Sequence, residues 1–272
     1  MQSLYLPYKS SQVHFWKAGE GNTVILCFHG YGETADSFEF LDRLLPLEQY
    51  ILIAVDLPFH GKTVWRGGNF FPDDLQKITQ LILKQCAVIP DHRIIVVGFS
   101  LGGRIALQLY QSMPALVHKI VLLAPDGLKV NFWYWLATQT RLGNRLFALT
   151  MKKPGWFFGL LKVMNLFKLV NASIFKFVNY YIGDAEVRRL LYSRWTSLRK
   201  IKPDPPVIKN LIRKNNTTVR LIYGQHDRII ISSTGEQFQK GIEEYCTLSV
   251  IHSGHQVLHE KHIKEILPAL MQ

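Results

Sequence analysis

Short apolar runs rich in β-branched residues recur along the chain, at 23–28, 50–55, 94–97, 119–124, 219–223 and 246–251. Runs of this length without polar alternation read as strands covered on both faces. An earlier stretch, 12–17, alternates weakly and reads as a further strand. Helical patterns lie between the runs: 35–45, then 72–86 with Pro72 and Asp73 at its start, then a helix that follows the 94–97 run and stops near Met113-Pro114. A closing helix is expected over about 261–270. Strands alternating with helices predict an α/β, doubly wound, mostly parallel sheet, whose ligand site lies beyond the carboxyl ends of the strands.

The pattern breaks after Asp126. Residues 128–182 are rich in Phe, Trp, Tyr, Leu and Lys and carry no strand signal. They predict several amphipathic helices inserted between two halves of the sheet, with Lys202-Pro203-Asp204-Pro205-Pro206 as the hinge that returns the chain. The expected organisation is a core of 1–125 and 206–272 with a helical insert of 126–205. No internal repeat or low-complexity segment interrupts it.

Composition narrows this picture. With 272 residues, 48% of them apolar, the chain can bury a large core. Cys27, Cys86 and Cys246 are widely spaced and odd in number, which predicts buried free thiols in a reducing compartment. The first residues lack a basic start followed by an apolar stretch, and no run is long enough to span a bilayer, so no signal peptide and a cytoplasmic location are expected. The net charge of +12 is concentrated. Between Asp126 and Asp184 there is no acidic residue, whereas Lys129, Arg141, Arg145, Lys152, Lys153, Lys162, Lys168 and Lys176 are all basic. Either the insert packs its apolar faces and solvates its lysines, or it forms a greasy acyl-binding roof with a cationic rim that also suits an anionic membrane surface. Basic and aromatic residues mixed with long aliphatics at helical spacing do not point to nucleic acid. No obligate protein partner is evident.

The chemistry centres on Gly98-Phe99-Ser100-Leu101-Gly102-Gly103, a G-x-S-x-G pentapeptide between a strand run and a helix run. Glycines two before and two after leave room where chains pass closely, so Ser100 can stand on a sharp turn as a nucleophile. Asp227 and His255 follow later strand runs in the order that a serine, an acid and a base require, with Asp126 as the rival acid. The Gly-rich loop His29-Gly30-Tyr31-Gly32 can present backbone N–H groups to an oxyanion. His252, His255, His259 and His262 lack the companions that a metal site needs, and the glycines fit no nucleotide motif, so neither metal nor cofactor is expected.

These landmarks resemble those of the α/β-hydrolase superfamily: His29-Gly30, the D-x-P-x-x-G turn of Asp56 to Gly61, the Ser100 elbow, the Asp227 loop and Gly254-His255. The resemblance implies the α/β-hydrolase fold, a lid formed by the insert, and oxyanion donors from the N–H groups of Tyr31 and Leu101. It implies a Ser100–His255–Asp227 triad cleaving a carboxylic ester of a small-molecule acyl substrate, fatty-acyl or anionic, with His29, Arg104 and Asp126 as candidate substrate contacts. The elbow also resembles that of the menaquinone-pathway synthase of this superfamily, a C–C lyase whose acidic substrate Arg104 and basic lid residues could bind. A non-catalytic binding protein of the same fold is the third reading. A haloalkane-type dehalogenase is disfavoured because the nucleophile position holds Ser rather than Asp.

Overall fold

Strand β5 (Arg93–Phe99) lies in the interior of the sheet and is buried from Ile94 onward. The computed structural model describes residues 1–166 and 182–272. Lys168 and Lys176, counted above among the basic residues of the insert, lie outside them. Around β5 run β1 (Gln2–Tyr8), β2 (Ser11–Ala18), β3 (Thr23–Phe28), β4 (Tyr50–Val55), β6 (Lys119–Leu123), β7 (Thr218–Gly224) and β8 (Cys246–Ile251). Their order across the sheet is β1-β2-β4-β3-β5-β6-β7-β8. All pairs from β4 to β8 are parallel, and β1 and β2 join antiparallel at one edge. The expected α/β doubly wound sheet is present, with β1 as an addition. Parallel strands covered on both faces must be apolar throughout, which is why β3, β4, β5 and β6 show as unbroken runs.

The crossovers are helical. They include α1 (Pro72–Gln85), with a proline at its first position, and α2 (Leu101–Ser112), which follows Ser100 directly. The helix expected over 35–45 is instead a 3-10 turn, Ala35–Phe38, and one α-turn, Glu39–Asp42. The carboxylate of Asp56 accepts from the Ala35 N–H at 2.7 Å and fixes where the segment starts, while Pro46 lies shortly beyond its end. The described residues gather into two units, 1–129 with 200–272, and 130–199. The second unit holds α3 (Phe132–Gln139), α4 (Arg141–Lys152), α5 (Gly155–Leu166) and α6 (Ala185–Ser197). Asn131, Thr140 and Asp184 cap three of these helices through side-chain oxygens. The first unit resumes with α7 (Pro205–Asn215) and α8 (Ser233–Gln239) and closes with α9 (Ile263–Met271).

Lys119 is an exception within the core. It is 5% exposed, and its ammonium donates to the Leu270 carbonyl at 3.1 Å. Burial, with Arg220 and Arg93 nearby, pushes its pKa down to about 8. Between about pH 8 and 10.5 Lys119 therefore carries a proton in the unfolded chain that it lacks in the folded one, so its own contribution to stability rises with pH across that window. Lys119→Met is expected to gain about 1–2 kcal/mol over the wild type near pH 7, after subtraction of the lost hydrogen bond, and that advantage is expected to shrink toward pH 10.5. Thermal melts across pH read both effects. A variant with no advantage over the wild type at pH 7, or with the same advantage at pH 7 and pH 10.5, would refute the assignment.

Candidate active site

The end of β5 sets the geometry. Ser100 takes φ 49° and ψ −114°, a left-handed conformation that costs a non-glycine residue about 1–3 kcal/mol. Three backbone bonds hold it there: its N–H donates to Leu123 at 2.9 Å, and its carbonyl accepts from Gly103 at 2.9 Å and Asp126 at 2.8 Å. Gly98 permits the turn, since a Cβ there would stand 2.5 Å from the Gly102 carbonyl oxygen. The chain enters α2 at Leu101, whose N–H occupies the first helical position, where no intrahelical carbonyl is in reach. The positive end of α2 therefore lies beside Ser100.

Two loops from other strands meet this serine. His255 follows β8, and its Nε2 lies 3.0 Å from the Ser100 Oγ. Its Nδ1 lies 2.7 Å from Oδ2 of Asp227, in the loop after β7. The Asp227 side chain is fully buried, and its other oxygen accepts from the N–H groups of Ile229 at 2.7 Å and Ile230 at 3.0 Å. A carboxylate only accepts, so Nδ1 carries the proton and Nε2 presents its lone pair to the serine hydroxyl. The Phe99 ring lies 5.5 Å from that of His255. This chain of contacts can take a proton from Ser100 and balance the resulting imidazolium.

Asp126, the rival acid, is engaged elsewhere. Its carboxylate pairs with the Arg104 guanidinium and accepts from the Gly127 N–H at 2.7 Å. His29 is fully buried, with Nδ1 2.8 Å from the Gly30 carbonyl and Nε2 accepting from the Leu57 N–H at 3.1 Å. The expectation of substrate contact for His29, Arg104 and Asp126 thus meets three side chains occupied in framework bonds. Tyr31 lies in the loop after β3, between Gly30 and Glu33, which are joined by two bonds.

The four histidines weighed above as metal ligands go separate ways. His252 meets His226 at 3.4 Å, His259 caps the turn at Lys261, and His262 bonds the Ser253 hydroxyl at 3.0 Å. Among the described residues, no group of three or more His, Cys, Asp or Glu stands ready to hold a metal ion. The three cysteines are buried and unpaired. Burial pushes the thiols of Cys86 and Cys246 up to about 11 and 12, and that of Cys27 also upward, so none offers a thiolate at neutral pH.

Sequence reading missed the supports of these loops. Glu33 accepts from the Gln256 amide at 2.9 Å and from the Gly30 N–H at 3.2 Å, which ties the histidine loop to the loop after β3. Asp56 bonds His14 at 2.7 Å, the Ala35 N–H at 2.7 Å and the Lys62 N–H at 2.8 Å. The turn of Asp56 to Gly61 stood among the landmarks without a role for its carboxylate, though a carboxylate at a strand end, ahead of a proline and a glycine, has loop N–H groups to collect.

Fold and site together define an α/β protein that bears a serine on a strand-to-helix elbow. The chain belongs to the alpha/beta hydrolase fold family, whose model matches residues 23–262. It is 25% identical over 247 residues to an uncharacterized hydrolase of Bacillus subtilis (strain 168), YugF, covering 89% of this chain and 86% of that protein. A pimeloyl-[acyl-carrier protein] methyl ester esterase of Pectobacterium atrosepticum is 33% identical over 112 residues, but the match spans only 40% of either chain. Among solved structures, a probable hydrolytic enzyme of Pseudomonas aeruginosa PAO1 superposes with a TM-score of 0.70 at 19% identity, over 100% of this chain and 94% of that one. The likeness in structure concerns the fold.

Proposed function

We propose that the protein hydrolyses a carboxylic ester through an acyl-enzyme on Ser100. His255, oriented by Asp227, takes the Ser100 proton as the serine oxygen attacks the carbonyl carbon. The N–H groups of Leu101 and Tyr31 receive the oxyanion, and His255 then passes the proton to the departing alkoxide. A water deprotonated by His255 attacks the acyl-enzyme, releasing the acid and returning the proton to Ser100. In this reading, the helical segment inserted between β6 and β7 is the lid of the enzyme.

The single observation that carries the reading is the hydrogen-bonded chain Ser100–His255–Asp227, at 3.0 and 2.7 Å, on a strained elbow. Family membership and relatives named hydrolase and esterase support it. The lyase alternative takes Arg104 and basic lid residues as anion contacts, and of these the Arg104 guanidinium is committed to Asp126.

Labelling with a fluorophosphonate tests the proposal. A phosphonyl adduct located on Ser100 by mass spectrometry is expected in the wild type, with a labelling rate at least about a hundredfold lower in His255→Ala. Equal labelling of both proteins would remove His255 as the base, and no adduct on folded wild-type protein would remove the activated serine.

A further inference from the structure

Helices packed on one side ordinarily send apolar residues inward and polar residues outward. Helices α4 and α5 carry a second apolar face outward. On α4 the inward side is plain: the Phe147 ring meets Tyr192 and Trp195 of α6 at 5.4 and 5.6 Å, and Thr150 is buried. On the outer side Leu142, Leu146 and Leu149 follow one another at i, i+4 and i+7, and Leu142 is 70% exposed. Helix α5 repeats the spacing with Trp156, Leu160 and Val163, all exposed, while Leu161 is buried. Trp133 on α3 is also 70% exposed. A single exposed leucine is ordinary, but two successive helices with the same outward stripe are not.

Charge selects the occupant. Arg141, Arg145, Lys152, Lys153 and Lys162 are exposed on the same two helices and the residue that follows α4. No acidic residue interrupts the sequence from Asp126 to Asp184. A second copy set against this face would oppose cation to cation. An anionic bilayer answers both features, since acyl chains accept the leucines and tryptophans while lipid phosphates pair with the arginines and lysines.

We propose that α4 and α5 dock in the plane of an anionic phospholipid surface, with the Leu142-Leu146-Leu149 and Trp156-Leu160-Val163 stripes sunk to the acyl boundary. The helices lie on the membrane and do not cross it. Each has 12 residues, about 18 Å of helix against a hydrocarbon core of about 30 Å. Among the described residues no helix is long and apolar enough to span.

Flotation of the full chain with phosphatidylcholine vesicles, with and without phosphatidylglycerol, tests the proposal. Binding at least about tenfold tighter to the anionic vesicles is expected, falling about tenfold between roughly 0.1 and 0.5 M salt. Two double variants read the two features separately: Leu146→Glu with Leu160→Glu, and Arg145→Glu with Lys152→Glu. Each is expected to lower binding at least about tenfold with an unchanged melting temperature, because these side chains are already exposed. Ser100→Ala is expected to bind as the wild type does, so failure of the hydrolytic reading and failure of this one are separate results. No flotation with anionic vesicles, equal partition to both vesicle types, or full binding by either folded double variant would overturn the proposal. So would lipid-free self-association abolished by both variants, which would give the face to a second copy.

Discussion

Replacing Ser100 by alanine is expected to lower kcat/KM for a short-chain carboxylic ester by at least about ten-thousand-fold, with a melting temperature within about 2 °C of the wild type. The two halves of the expectation have different causes. The hydroxyl is the atom that attacks, so its removal leaves only binding and oxyanion stabilisation, and a loss of that size corresponds to about 5 kcal/mol of transition-state stabilisation. The backbone keeps its form, because the bonds to Leu123, Gly103 and Asp126 involve main-chain atoms alone, and alanine fits the turn no worse than serine. The same assay separates the two acids. Asp227→Asn should approach the Ser100→Ala loss, because an amide beside Nδ1 favours the wrong imidazole tautomer. Asp126→Asn should cost less than about tenfold, since its partner is Arg104. Ester turnover that survives in Ser100→Ala would end the acyl-enzyme scheme.

The central part of this molecule was legible because its physics is monotonous. Strands buried on both faces must be apolar nearly throughout, so β3 to β6 stand out as runs, and a site built at the carboxyl ends of the sheet inherits much of that clarity. Ser100 follows such a run directly, and Asp227 and His255 stand within four residues of the ends of β7 and β8. Strand β1 was not legible. It is an edge strand with one exposed face, it contains Pro7, and its short sequence carries no strong period. Helix α7 was hidden in the stretch read as a Pro-rich hinge: Asp204 is its cap, accepting from the Val207 N–H at 3.2 Å, and Pro205 and Pro206 open its first turn. The seven residues of α8 bury little beyond Phe238, too few to show a period. Glu33 and Gln256 illustrate another limit. They touch across 223 positions of sequence, and no local pattern reports a contact made only when two loops converge.

Gly102→Ala is the stability counterpart of the serine experiment and is expected to be the more disruptive of the two to the fold. Gly102 sits in the first turn of α2, where a helical residue gains from a methyl group on propensity alone, by about 1 kcal/mol. Space reverses the sign. A Cβ built there stands 1.8 Å from the carbonyl oxygen of Phe28, at the paired end of β3, and 2.8 Å from that of His29 just beyond it, both backbone atoms that cannot rotate away as a side chain would. The elbow and the end of β3 must part, and that strand end leads into the loop of Gly30 and Tyr31. The expected cost is at least about 3 kcal/mol, a fall of roughly 6–12 °C in the first unit's melting temperature, with fluorophosphonate labelling lost well below the wild-type transition. Gly68→Ala, where nothing lies within 4 Å of the new Cβ, serves as the control and should leave both readings unchanged. A Gly102→Ala protein that melts with the wild type would mean that the helix and the strand approach less closely than this, and that the second glycine of the pentapeptide is not required by crowding.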